Sequence, residues 1–297
     1  MLKSSILHIG FTVVVTSLVL AACTSIGVVP LSRDTKSGYF IAESIIDGEP
    51  ANLVVDTGTT MPAISSDYAR AHRIVFSADQ MLENEHDSAS SGRSVASLQP
   101  PLGFATLESF SVGNIKFSGA VQFQVYDLSA LNSRTEENIS GILGTGALNS
   151  RPYRIDFQRL QLTIGDKLNR PRLSFPLLLV DNLLYVDIQI CGHAKRFLVD
   201  TGSLNSWIDA DTLQDIECGY RISGSGTYDV LVGNRLNRLA VNRVTLDHIQ
   251  LSGQQFSGVV FFAGTSNVLG LDILARGSLF LDPIGKDYYL DLSGAEL

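Results

Sequence analysis

Apolar positions along this chain come in short runs and alternations, with little helical spacing. Residues 41–46 and 51–55 are apolar-rich and are parted by Asp47-Gly48, the pattern of two strands joined by a tight hairpin. Val112, Ile115, Phe117, Val121, Phe123 and Val125 alternate about Gly113-Asn114 and predict half-buried strands. Leu246, Ile249, Leu251, Val259 and Phe261 repeat that arrangement farther on. Residues 65–72 and 209–217 are the modest helix candidates.

The strand pattern is one unit written twice. Ile45-Ile46-Asp47-Gly48-Glu49-Pro50-Ala51-Asn52-Leu53-Val54-Val55-Asp56-Thr57-Gly58 aligns with residues 189–202, ending Phe197-Leu198-Val199-Asp200-Thr201-Gly202, at a constant offset of 144 (200 minus 56). Ile115-Lys116-Phe117-Ser118-Gly119 matches Ile249-Gln250-Leu251-Ser252-Gly253 at offset 134. Ile142-Leu143-Gly144 matches Val268-Leu269-Gly270, and Ile155-Asp156 matches Leu281-Asp282, both at offset 126. The order of landmarks is kept while the first copy carries 18 more residues in its loops (144 minus 126). An Asp-Thr-Gly triplet is expected by chance roughly once in several thousand positions. The polar stretch 166–172 contains Pro171 and lies near the midpoint. The expectation is an all-β protein: a lobe at 38–165, a linker at 166–175 and a similar β-barrel lobe at 176–297, related by a pseudo-twofold axis.

Composition narrows the function classes. The 297 residues carry 22 Lys+Arg and 30 Asp+Glu, net −8, with no basic cluster, which argues against a nucleic-acid surface. Residues 1–22 hold one charge, Lys3, then an apolar centre and small residues, the order of a secretory signal peptide. Leu20-Ala21-Ala22-Cys23 resembles the bacterial lipobox, which implies lipidation of Cys23, a tether over 23–37 and a membrane partner reached through acyl chains. Thr24 after that cysteine implies the outer membrane, so the expected location is the bacterial cell envelope, facing the periplasm. Such a compartment permits a Cys191–Cys218 disulfide, and sequence leaves open whether these two are paired or separate thiols. The His are scattered and no Gly-rich segment has phosphate-loop spacing, so no metal and no cofactor are expected.

The chemistry lies in the doubled triplet. If the lobes pair about the axis, Asp56 faces Asp200, and two carboxyls in contact hold one proton between them. One is then a base toward a water and the other an acid toward a carbonyl oxygen. Thr57 and Thr201 are expected to brace the loops, and Gly58 and Gly202 to allow tight turns. Thr59 and Ser203 offer hydroxyls to the carboxylates, which would shift activity to acid pH. Asp156 and Asp282 read as turn residues at strand ends, and Trp207, aligned with Ala63, as core or cleft wall.

Leu53-Val54-Val55-Asp56-Thr57-Gly58-Thr59, Phe197-Leu198-Val199-Asp200-Thr201-Gly202-Ser203, Gly141-Ile142-Leu143-Gly144 and Val268-Leu269-Gly270-Leu271-Asp272 together resemble the retropepsin-like and pepsin-like aspartic proteases, in a bacterial single-chain, two-lobed form. The resemblance covers about residues 38–295 and implies a monomeric endopeptidase cutting extended peptide or protein substrates with the Asp56/Asp200 pair. It also implies flap hairpins. Ser223-Gly224-Ser225-Gly226-Thr227-Tyr228 has the spacing and Gly-rich chemistry of a flap tip, with Tyr228 read either as a substrate contact or as a plain strand residue. Asp87-Ser88-Ala89-Ser90-Ser91-Gly92 is the first-copy candidate. Gly146 departs from the pattern, standing where the second copy has Asp272. The competing reading is a non-catalytic lipoprotein that binds peptides or a protein partner in the same cleft.

Overall fold

The computed structural model describes residues 26–77, 101–148, 150–165, 168, 174–216, 219–232 and 235–292. Residues 1–22, Cys23, the 87–92 segment and Cys218 lie outside the described residues. Both copies fold as β-sheet lobes joined by a shared sheet, and the protein is all-β and two-lobed.

In each copy a two-residue turn folds the hairpin that leads to the Asp-Thr-Gly loop. Asp47 and Gly48 lie at φ 48° and 88°, and Cys191 and Gly192 at 54° and 83°. Left-handed backbone at both central positions matches the twist of the flanking strands, which is why glycine recurs there. Strand Phe40–Ile46 thus pairs with Glu49–Asp56, and Leu183–Ile190 with His193–Val199. Leu53, Val54 and Val55, like Phe197, Leu198 and Val199, are buried. At roughly 1.5–3 kcal/mol per buried apolar side chain, each triplet is anchored at its strand end. The short helices Ser66–Ala71 and Ala210–Asp215 fall where expected, capped by Ser65, whose hydroxyl accepts from Tyr68 N at 2.9 Å, and by Asp209, which accepts from Thr212 N at 2.7 Å.

The lobes meet in a six-stranded sheet ordered Phe175–Pro176, Asp287–Asp291, Ser278–Asp282, Tyr153–Asp156, Gln161–Ile164, Gly27–Arg33. Each copy contributes three strands. At its centre Tyr153 pairs with Leu281, Arg154 with Phe280 and Ile155 with Leu279. Shifting each residue by the repeat offset of 126 maps this register onto itself, so the pseudo-twofold axis passes through the Arg154/Phe280 pair. Asp156 and Asp282 do act as turn residues: Asp156 accepts from Arg159 N, and Asp282 from Ile284 N and Gly285 N.

The shared sheet corrects two sequence boundaries. Residues 27–33, expected within a tether, form a strand whose Val29 and Leu31 are buried. Pro30 sits at the switch where the strand leaves Gln161–Ile164 for Phe40–Ala42. Phe175, expected in the linker, already pairs with Leu290.

Asp34 ties the turn after this strand to the loop at 136–137. Burial works to raise its pKa, but five donors hold it at about 2: Ser37 Oγ at 2.7 Å and the backbone N–H groups of Lys36, Ser37, Glu136 and Glu137. Because the folded pKa is depressed, the stability it contributes is present above the unfolded value and lost as pH falls from there toward 2. We expect Asp34→Asn to cost about 2 kcal/mol at pH 7 and much less at pH 2, read by urea unfolding at the two pH values.

Candidate active site

The two Asp-Thr-Gly loops meet across the axis and lock by reciprocal hydrogen bonds. Thr57 N donates to Thr201 Oγ1 at 3.0 Å, and Thr201 N to Thr57 Oγ1 at 3.1 Å. Each hydroxyl then donates to the strand that delivers the opposite loop: Thr57 Oγ1 to Val199 O and Thr201 Oγ1 to Val55 O, both at 2.8 Å. Thr57 and Thr201 are buried, so none of these groups can turn to water.

This lock brings Asp56 and Asp200 into hydrogen-bond contact. Gly58 N donates to Asp56 Oδ1 and Gly202 N to Asp200 Oδ1, each at 2.8 Å. The glycines are required by close approach: a Cβ on Gly202 would stand 2.5 Å from the Asp56 carboxyl carbon, and one on Gly58 would run into the Asp200 carboxyl. Burial pushes Asp56 above the ordinary carboxylate range, opposed by the glycine amides and the bond to Asp200. Asp200 is raised well above that range by burial, then by the charge of Asp56 and the hydrogen bond between them. Burial and mutual contact thus act on the two carboxyls as one pair, and both are raised.

Behind the loops the copies are braced alike. Thr145 N donates to Thr59 O at 3.1 Å and Gly146 N to Thr60 O at 2.8 Å, and in the second copy Leu271 N donates to Ser203 O at 2.8 Å and Asp272 N to Leu204 O at 3.2 Å. The hydroxyls expected to reach the carboxylates turn away: Thr59 Oγ1 donates to Met61 O at 3.2 Å and Ser203 Oγ to Asn205 O at 2.8 Å. Local turn carbonyls win them, and backbone amides take their place at the acids. The acid displacement expected from those hydroxyls therefore has no support in the geometry.

The departure at Gly146 has a physical reason. In the second copy Asp272 accepts from Ser206 N at 3.0 Å and Ser206 Oγ at 2.6 Å. At the position of Ser206 the first copy has Pro62, which has no N–H to satisfy. A Cβ at 146 would also strike the Thr60 carbonyl. Alanine at 272 should cost about 2–3 kcal/mol by leaving the Ser206 donors unpaired. In a Ser206→Pro background the same change should cost about 1–2 kcal/mol less, a coupling that a thermal-denaturation double-mutant cycle measures.

The Gly-rich 223–228 segment is not a loop tip. Gly224, Ser225, Gly226 and Tyr228 lie within strand Arg221–Val232, which pairs with Arg235–Leu251 up to Val232 opposite Arg235. Gly226 is tolerated in the strand because the Tyr228 ring fills the space where its side chain would be. From Ser225–Asn242 outward neither strand has a third partner among the described residues, so the arm projects from the second lobe. Tyr228 packs edge-on against Phe262 at 4.6 Å, and Phe262 against Trp207 at 5.5 Å, which places half-buried Trp207 beneath the arm. Cys191 is disulfide-bonded.

Sequence reasoning missed Tyr39. It is buried, with its pKa pushed up to about 12 by burial, lowered by Arg134 and raised by the charges of both Asp56 and Asp200, so its phenol lies within electrostatic reach of the pair. The signal was present in the alignment, which sets Tyr39, just before its strand, against apolar Leu183 at the head of the equivalent one.

No protein-family model and no curated protein sequence matches the chain. The fold is similar to the crystal structure of Basic 7S globulin from soybean, with TM-score 0.52, 13% identity, and coverage of 91% of this chain and 95% of that one. A retropepsin-like aspartic protease from Rickettsia conorii aligns at TM-score 0.30 and 18% identity over 48% of this chain and 92% of its own. The chain has an aspartic-protease-like fold.

Proposed function

We propose that this protein is an aspartic endopeptidase that hydrolyses peptide bonds in extended polypeptides. The observation that carries the reading is the Asp56/Asp200 pair, brought into contact and held by the threonine lock. The ionised carboxyl of the pair serves as the base: it takes a proton from a water lying between the carboxyls as the water oxygen bonds to the scissile carbonyl carbon. Its protonated partner gives its proton to the carbonyl oxygen, which forms a gem-diol. Collapse of that intermediate breaks the C–N bond as the amine leaves protonated, and the pair is left with one proton. The projecting 221–251 arm is the flap of this reading, with Tyr228 on the side facing the lobe. With both lobes in one chain the active form is a monomer, and the signal and lipobox features would hold it at the periplasmic face of the envelope.

Peptide binding without turnover is the second reading, favoured by the similarity to a protein named a globulin. Cleavage of casein followed from pH 3 to 8 separates the two. Endopeptidase activity should rise as pH climbs through the first ionisation of the pair and fall through the second. Burial raises both ionisations, so the acid limb should lie above the ordinary aspartate range of about 4. Absence of turnover throughout favours the binding reading.

A further inference from the structure

A pocket of about 220 Å³ opens where the first lobe's Thr145 meets the second copy's Leu179, Asn182, Leu184, Pro283 and Tyr288. Its origin is a broken symmetry. The pseudo-twofold carries Thr145 onto Leu271, Leu184 onto Phe40, Pro283 onto Phe157 and Tyr288 onto Leu162. Leu179 pairs with Leu184 as Arg33 pairs with Phe40, which sets Leu179 against Arg33. At the twin location the other four side chains are at most 4% exposed, the Phe40 and Phe157 rings fill the space with centroids 5.0 Å apart, and the exposed Arg33 guanidinium lies 5.6 Å from the Phe40 ring centre. On the pocket side both rings are replaced by smaller side chains, and Leu179 is left 44% exposed.

Two of the walls are more polar than their twins. Thr145 replaces a leucine, and the Tyr288 phenol stands where the twin has Leu162. Neither the Asn182 amide nor the Tyr288 hydroxyl has a hydrogen-bond partner among the described residues. Beneath them Tyr153, across the sheet from Leu281, has a buried hydroxyl that is likewise unpartnered. An apolar cavity of about 150 Å³ accepts a benzene molecule, so this volume suits one ring with a substituent.

We propose that this pocket binds a single aromatic ring bearing a hydroxyl group, supplied by a small phenol or by a tyrosine side chain of a polypeptide. The ring takes the place of the twin's phenylalanines and its hydroxyl meets the Asn182 amide and Tyr288 hydroxyl. The site is separate from the carboxyl pair and stands whether or not that pair cleaves peptides.

Calorimetric titration of the full chain with p-cresol should give a Kd below about 1 mM, with toluene about tenfold weaker for want of the hydroxyl. Leu184→Phe, which copies Phe40 into the pocket, should weaken p-cresol at least about tenfold while Tm holds or rises. Thr145→Leu, copying Leu271, serves the same purpose should the first variant fail to fold. Competition of p-cresol by a tyrosine-containing hexapeptide assigns the ring to a polypeptide. Binding of p-cresol without such competition assigns it to a small molecule, and both results support the pocket. No p-cresol binding at about 10 mM, equal affinity for toluene, or undiminished affinity in the filled variants overturns the proposal.

Discussion

Asp56→Asn or Asp200→Asn will lower kcat/KM for peptide cleavage by about 10³-fold or more, and will make the protein more stable at pH 7. The first effect follows from the division of labour: a single carboxyl can be base or acid, and an amide can be neither. The second follows from linkage. Each aspartate has a folded pKa above its unfolded value, so the native state binds more protons over the interval between them. Stability is therefore lost as pH rises through that interval, and the full penalty stands above it. Asparagine at either position keeps the shape of the protonated acid and a donor toward its partner while removing the charge, so either variant should stabilise. Thermal melts at pH 7 should show Asp200→Asn above wild type, by about 2–4 °C for each kcal/mol relieved. Below about pH 3.5 the curves should converge, because wild type is then protonated in both states. A variant that loses activity together with stability would show the carboxyl to be structural instead.

Thr57→Val will cost about 2–5 kcal/mol, the largest loss of stability expected from any isosteric change in this protein. Valine keeps the volume but strands two buried groups at once: Thr201 N loses its acceptor and Val199 O loses its donor. Thr201→Val strands the mirror pair, Thr57 N and Val55 O. Thr57→Ser keeps the oxygen and should recover most of the loss. Because the lock sets the approach of the carboxyls, the valine variants that still fold should also lose kcat with little change in KM. Urea unfolding and casein kinetics on the three variants check both statements, and a Thr57→Val protein with wild-type unfolding would refute the lock.

Much of the candidate site was legible because a duplicated pattern is a geometric statement. Two strands of the same apolar pattern, each ending in Asp-Thr-Gly, can be equivalent only about an axis, and residues near an axis meet. The same logic located the hairpin turns at Asp47-Gly48 and Cys191-Gly192, whose glycines the left-handed backbone requires. It misplaced elements whose identity depends on a distant partner. Residues 27–33 become a strand through Gln161–Ile164 and Phe40–Ala42, more than a hundred residues away on one side, and no local pattern announces that. The 223–228 segment has turn composition, yet pairing with Arg235–Leu251 holds it extended. Thr59 and Ser203 were placed beside the right groups, but turn carbonyls claim their hydroxyls.

The sequence by itself determined the all-β class, the duplication and the identity of the two acids that face each other, because strand periodicity and repeat offsets are local properties of the chain. Only the tertiary structure decided that both acids are raised in pKa, since that depends on how much water the meeting lobes exclude. It also decided where the symmetry fails. Phe40 and Phe157 against Leu184 and Pro283 are unremarkable substitutions along the chain, and they become a filled site and an open pocket only when the axis brings each set against the opposite lobe.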